Sequence, residues 1–280
     1  LLDQPVRRRV IEGTVPLIVR VPLKTEERFV LFNAPRSEYL PCLLRGLIGD
    51  FVGELEQSVS AVVFMVGERE VKWSLPIGVI FDAVHNGALP MEVTLGIQQV
   101  SNAVKAYESE ETLKNYFIQQ LKESAYLRFG SIQSIRQLEL ESIEPIWAGH
   151  VQSRVEDYDQ LYGRLTLTGS AWEHVPVAWY LGTQRRYTDA IHTETDGHLT
   201  TVAEGITALL LGRVASESDP DVMRTLREAG GAVPDALAVV VQGVSVPLET
   251  PLLWLALNMG SPDQFVHVVV RPKEDFLVLV

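Results

Sequence analysis

Two distant segments of the chain are built to one plan. PIGVIFDAV (76–84) opens on a proline, continues as a short apolar helix with one aromatic residue, Phe81, and leads through Pro90 into an alternating strand, MEVTLGI (91–97). PLLWLALNM (251–259) repeats this with Trp254, followed by Pro262 and QFVHVVV (264–270). Proline suits the first turn of a helix, where its missing N–H would be unpaired anyway. A doubled ending of this kind points to a fold that contains one module twice.

The residues before each ending agree. GTVPLIVRVPL (13–23) places Val15, Leu17, Val19 and Val21 on one face, the period of a half-buried strand. RFVLFNA (28–34) follows the polar turn KTEE as a hairpin partner. EYLPCLLRGLIGDFVGELEQS (38–58) has helical spacing, with Ser37 as its expected cap. SAVVFMV (60–66) and REVKWSL (69–75) read as strands around Gly67-Glu68. In the second half, HVPVAWYLG (174–182) and QRRYTDAIH (184–192) are strands and TVAEGITALLLGRV (201–214) is a helix. After a polar insertion (215–235), ALAVVVQG (236–243) and VSVPLE (244–249) are strands. Each copy runs strand, strand, helix, strand, strand, short helix, strand. That is the order of the β-grasp, or ubiquitin-like, arrangement, a mixed sheet with a helix on one face. The alternative reading is one larger α+β sheet with inserted helices.

Between the copies the β-branched runs stop. ETLKNYFIQQLKES, SIQSIRQLELES and HVQSRVEDYDQLYGRL are helix-compatible and carry apolar residues enough to pack, among them Leu113, Phe117, Leu121, Ile135, Leu138, Trp147, Tyr158 and Leu161. The fold class is therefore α+β: an N-terminal segment at 1–12 compatible with a helix, a first ubiquitin-like domain at 13–103, a helix-rich connector at 104–170 and a second ubiquitin-like domain at 171–280.

Little in the chain suggests catalysis. Apolar runs are too short to cross a bilayer, and the first residues lack an apolar stretch of signal-peptide length. A net charge of −12 argues against nucleic acid as the main partner. The clusters Arg7-Arg8-Arg9 and Arg185-Arg186 read as solvated charge. A single cysteine, Cys42, excludes an internal disulfide and reads as a core thiol. The hydrolase elbow, phosphate-cradle and zinc signatures are missing, and no cofactor is expected. HTETDGH (192–198) gathers His192, Glu194, Asp196 and His198, but Asp196-Gly197 is a turn signal, so a solvated loop is the expected reading. His267 reads as a partly buried strand residue.

Several stretches resemble the autophagy protein 5 family. VKWSLPIGVIFDAVHNGALPMEVTLG (71–96) is similar to its K-W-x-x-P-I-G-x-x-F-D segment, carried by Lys72, Trp73, Pro76, Ile77, Gly78, Phe81, Asp82, Leu89 and Pro90. VPLETPLLWLALNMGSPDQFVHVVVRP (246–272) resembles the family's P-L-E-T-P-L-x-W-L close, APRSEYL (34–40) its P-R-x-S-Y-L motif, and IWAGHVQSR (146–154) its connector helix. Departures are Ile11, where the family usually has Trp, Glu38, where it has Ser, and the unmatched 215–235 insertion.

The resemblance implies two ubiquitin-like domains flanking a helix-rich one. It also implies a non-catalytic scaffold of autophagosome formation, to which the ubiquitin-like modifier autophagy protein 12 is joined by an isopeptide bond. YFIQQLKES (116–124) resembles the family's acceptor helix, with Lys122 at the acceptor position. Spacing by itself does not separate Lys122 from Lys24, Lys72, Lys105, Lys114 or Lys273. The implied partners are autophagy protein 12, bound covalently or non-covalently, autophagy protein 16, and indirectly the conjugating enzyme for autophagy protein 8, whose transfer to phosphatidylethanolamine the complex promotes. The implied location is cytoplasmic, at the phagophore assembly site and peripheral on its membrane. A reading from another class is an enzyme with a metal held by His192, Asp196 and His198 in a cleft between the sheet modules.

Overall fold

The computed structural model describes residues 2–23, 26–54, 62–84, 89–97, 107, 109–137, 147, 172–181, 185–212 and 237–272. Helix α1 (Gln4–Ile11) comes first. The Asp3 carboxylate accepts a hydrogen bond from the Val6 amide at 3.1 Å, and Pro5 lies in the first turn, two features that start a helix with little strain. Its Val6 and Val10 pack against the core of the second module. The sequence expectation for the arginine cluster fails here. Arg7 is buried, while Arg8 stays on the surface and pairs with Glu12 one turn on.

The first module follows the expected order: β1 (Thr14–Pro22), β2 (Glu27–Pro35), α2 (Leu40–Leu43), α3 (Arg45–Glu54), β3 (Val62–Val66), β4 (Arg69–Val71), α4 (Ile77–Val84) and β5 (Met91–Ile97). The strands lie in the order β2-β1-β5-β3-β4, with β1 and β5 parallel at the centre and the other pairs antiparallel. Val15, Leu17, Val19 and Val21 are all buried, as period two requires.

Three local readings change. The single helix expected over 38–58 is broken at Leu44, whose φ of −99° and ψ of 13° leave the helical range. Ser37 is not its cap. Tyr39 takes the cap position without a side-chain bond, because its ring is buried and its backbone bridges to Pro76. The expected strand 69–75 stops at Val71, and Lys72 begins a turn closed by the Leu75 amide at 3.1 Å. Cys42 is half-buried at the edge of the core, and burial pushes its thiol up.

Helix α5 (Glu110–Phe129) lies in the connector. Ser109 caps it, accepting from the Thr112 amide at 3.2 Å, Glu110 and Glu111 favour its positive end, and Gly130 ends it at φ 65°. Residues 133–137 are also helical. Leu113, Phe117, Leu121, Ile135 and Trp147 are buried as expected, and the readings at Leu138, Tyr158 and Leu161 lie outside the described residues.

The second module contains β6 (His174–Leu181), β7 (Arg185–His192), β8 (Glu194–Thr195), β9 (His198–Leu199), α6 (Val202–Gly212), β10 (Leu237–Val241), β11 (Val244–Ser245), α7 (Leu252–Met259) and β12 (Val266–Pro272). Its sheet order, β11-β10-β12-β6-β7, is the first order read from the other edge, again with the central pair, β6 and β12, parallel. The strand expected over 244–249 ends at Ser245, two residues before Pro247, which has no N–H to give a ladder. The tiny β8–β9 hairpin turns at Asp196 and Gly197, both at positive φ. The 215–235 insertion lies outside the described residues.

The sheets meet across one buried ion pair. Arg36, just after β2, donates from Nη2 to Asp82 Oδ2 on α4 at 2.5 Å and to the Gly78 carbonyl at 3.1 Å. The same Asp82 oxygen accepts from the Gly243 amide at 2.9 Å, and Arg271 donates to the Asp82 carbonyl at 3.0 Å. Burial pushes the Asp82 carboxyl up, and the Arg36 charge and the Gly243 amide pull against that shift. Gly243 sits at φ 78°, where a side chain is strained, and a Cβ there would meet Arg36 Nη1 at 2.8 Å and displace the guanidinium from its partners.

A second junction fixes α5. Arg186 on β7 donates to the Tyr116 hydroxyl at 3.0 Å and covers the Phe265 ring at 4.9 Å, so it is a packed residue and not solvated charge. His267, fully in the interior, joins Tyr180 through Nδ1 at 2.8 Å and Asp263 through Nε2 at 3.0 Å. Burial alone would raise the Asp263 carboxyl; the His267 and Arg186 partners outweigh it and hold the group below its ordinary value.

Two tests follow from these contacts. Asp82→Ala strands a buried guanidinium, so unfolding free energy falls by about 3–5 kcal/mol, read as a lower urea midpoint; a loss under about 1 kcal/mol would show that the pair is not the lock described. Glu204 receives the Thr201 amide at 2.7 Å and returns its own amide to the Thr201 hydroxyl, a capping box for α6. Its carboxyl is held at about 2, against 4.5 ordinarily, by the Thr201 amide, then by His198 and the Thr201 hydroxyl. A depressed carboxylate contributes stability that is complete above its unfolded value and lost as pH falls through its folded one. The stability gap between wild type and Glu204→Gln should therefore close as pH falls from 4.5 to about 2; a gap that stays constant over that window refutes the charge assignment.

Candidate functional site

Lys122 lies on α5, half-buried, on the flank between an inward row (Leu113, Phe117, Leu121) and an outward row that includes Gln119 and Tyr126. At 100° per residue, Lys122 points about a quarter turn from Leu121, which is the position that spacing predicts. The helix under it is held from both sides. Tyr116 meets the Trp73 ring edge-on at 5.9 Å, Phe117 packs on Trp147 at 5.7 Å, and Arg186 reaches Tyr116 from the second module. Glu123 is engaged by Gln120 Nε2 at 3.4 Å. Lys122 is thus carried by a helix whose backbone is fixed from both modules, on a side chain that keeps its own flexibility.

The competing lysines sit differently. Lys72 is in the turn after β4, where burial first, and the Arg186 charge second, lower its ammonium below the ordinary value. Lys114 is half-buried two turns before Lys122. Lys24, Lys105 and Lys273 fall outside the described residues.

A groove of about 750 Å³ opens where α1 meets the second module. Val6 and Val10 form one wall, and Val246, Trp254 and Met259 form the other. Arg9, Arg36 and Glu249 supply charge around it. Val244, at its margin, is an exposed valine. Nothing in the sequence assigns Trp254, Arg9 or their neighbours to a groove. The one available signal was the i, i+4 pair Val6 and Val10 beside the arginine cluster, which marks an apolar stripe on a helix with no obvious partner.

The histidine cluster does not assemble. His198 Nε2 lies 2.7 Å from Glu204 Oε1, whose hydrogen bond and charge raise the imidazole above its ordinary value. His192 instead faces His174 across the β6–β7 ladder. Among the described residues no three His, Cys, Asp or Glu side chains converge in a way that could hold a metal ion, so the cleft enzyme built on His192, Asp196 and His198 has no site there.

Comparison with known proteins follows this geometry domain by domain. The family model for the autophagy protein ATG5 UblA domain matches residues 10–97, that for its alpha-helical bundle region residues 110–168, and that for its UblB domain residues 174–270. Autophagy-related protein 5 of Gibberella zeae is 23% identical over 278 residues, covering 96% of this chain and 99% of its own. Autophagy protein 5 of Arabidopsis thaliana is 21% identical over 325 residues, covering 94% and 96%. The crystal structure of Kluyveromyces marxianus Atg5 superposes with a TM-score of 0.74 at 18% identity, over 96% of this chain and 100% of that one. Three domain matches in unbroken order, on a fold with two ubiquitin-like sheets around a helical region, place this chain in the autophagy protein 5 family.

Proposed function

We propose that this protein is a non-catalytic scaffold of autophagosome formation whose Lys122 accepts autophagy protein 12. The observation that carries the reading is the placement of Lys122 on the flank of a helix pinned between both ubiquitin-like modules. In the transfer, Nζ of a neutral lysine attacks the modifier's C-terminal thioester on its conjugating enzyme. The N–C bond forms, the C–S bond breaks, the enzyme's sulfur departs as thiolate and one proton of the attacking nitrogen passes to a base on that enzyme. The acceptor supplies only the amine, and the conjugating enzyme supplies the base and the activated thioester.

The apolar groove between α1 and the second module suits a helix of autophagy protein 16. Its walls are aliphatic and aromatic, as a helix-in-groove contact requires. Assembled in this way, the complex would promote transfer of autophagy protein 8 to phosphatidylethanolamine, with membrane contact peripheral. No helix among the described residues is long and apolar enough to cross a bilayer.

Co-expression with the modifier and its enzymes tests the acceptor. Wild type gives an adduct that survives denaturing electrophoresis, and Lys122→Arg, which keeps the charge but removes the nucleophile, abolishes it. An adduct that persists in Lys122→Arg sinks the assignment, and co-purification without any denaturant-resistant adduct in wild type selects the non-covalent mode. For the groove, Trp254→Ala should weaken a helical peptide of autophagy protein 16 by about 2 kcal/mol, the scale of a truncated aromatic anchor, in a calorimetric titration. Unchanged affinity would move the contact elsewhere.

A further inference from the structure

We propose that His174 and His192 form a two-imidazole site for a divalent transition ion, Cu²⁺ or Zn²⁺, at the open end of the β6–β7 hairpin. The two residues are direct cross-strand partners. Their ring centroids are 4.3 Å apart and their planes are inclined at 41°. Two imidazoles bound side by side to one ion, each nitrogen about 2.0–2.1 Å from the metal, place their ring centres roughly 4.5–5 Å apart. The resting pair therefore has close to the ring spacing of a chelate, and side-chain rotation would have to turn one nitrogen of each ring toward the ion.

The pair is held in advance by its backbone. Beyond the strand ladder, the Thr193 amide donates to the Glu173 carbonyl at 2.9 Å and the Thr193 hydroxyl donates to the Trp172 carbonyl at 2.6 Å. The residues adjoining both histidines are thus tied together, and little further ordering is needed to bring the ligands to an ion. His192 is exposed and His174 half-buried, so the ion has a path from solvent and water completes its shell. Imidazole nitrogen suits copper and zinc, with copper favoured by the general order of divalent affinities. Two protein donors make this a weaker site than a closed three- or four-ligand centre, in keeping with the lack of any larger converging set among the described residues.

Its effect follows from where it sits. The ladder runs from the Leu181–Arg185 pair to the His174–His192 pair, which marks the end away from the chain connection. A bridging ion closes that end and secures β7, the outer strand whose Arg186 fixes α5.

The test uses the untagged full chain, Cu²⁺ or Zn²⁺ titrated by calorimetry, and electron paramagnetic resonance with one equivalent of Cu²⁺. The expected result is one site, a copper spectrum with two imidazole nitrogens, and a Tm rise of about 3 °C with free metal near tenfold over Kd. His174→Gln and His192→Gln should each weaken binding at least about tenfold and lose the Tm rise, while His198→Gln, whose imidazole is engaged by Glu204, leaves both unchanged. Wild-type affinity in either His174→Gln or His192→Gln overturns the proposal, as does a copper spectrum with fewer than two imidazole nitrogens. Should either variant fail to fold by circular dichroism, the wild-type spectrum decides.

Discussion

The arrangement of this protein depends on the ion pair between Arg36 and Asp82. Four stretches distant in sequence converge on it: the end of β2, the α4 helix, the β10–β11 turn and strand β12. A charge pair that far from water is stabilising only when the remaining donors and acceptors are also satisfied. Here the Gly78 carbonyl and the Gly243 amide meet part of that demand and Arg271 takes up the Asp82 backbone carbonyl, while Arg36 Nε is buried without a hydrogen-bond partner among the described residues. The glycines are part of the same constraint. A Cβ at Gly78 would fall 3.0 Å from the Arg36 carbonyl oxygen, backbone that cannot step aside, and one at Gly243 would press on the guanidinium. The two sheets are therefore joined through geometry that tolerates few substitutions, while α1 is held separately on the second module by Asn258 and by the packing of Val6 and Val10.

The two modules share a topology but bury it differently. In the first, β1 alternates and β2 keeps one face to solvent, with Phe29 and Leu31 exposed. In the second, β10 is buried at every position. Val239 and Val241 face that module's own core, while Val240, with Ala178, Tyr180 and Val269, joins the core built by the first module and α5. The middle of the second sheet, β10, β12 and β6, is covered on both faces, and these strands read as near-continuous apolar runs for that reason. LAVVV and TVPLIVRVP thus carry, in their patterns, the difference between a buried and a half-buried strand.

Much of the candidate site was legible for the same reason. Lys122 could be placed on a flank because a helix of twenty residues repeats its own geometry, whatever it touches. The break at Leu44, the early end of β4 and the two-residue β8–β9 hairpin were not legible. Each is shorter than the window over which a period can be recognised, and each is set by a tertiary demand, such as the burial of Tyr39 against Pro76. Arg7 and Arg186 were misread because a charged residue looks the same in sequence whether it meets water or, as Arg186 does, a tyrosine hydroxyl and an aromatic face.

By itself, the sequence determined the two β-grasp modules, the helical connector between them and the lysine on its flank, because strand alternation, helix spacing and proline placement are local properties of a chain. Only the tertiary structure decided that residues 36, 82, 243 and 271 form one lock, that α1 crosses to the second module to complete an apolar groove, and that His192 meets His174 and not His198. Those pairings join residues from 18 to 255 positions apart. Their partners are chosen by how the sheets pack, and no local periodicity encodes that choice.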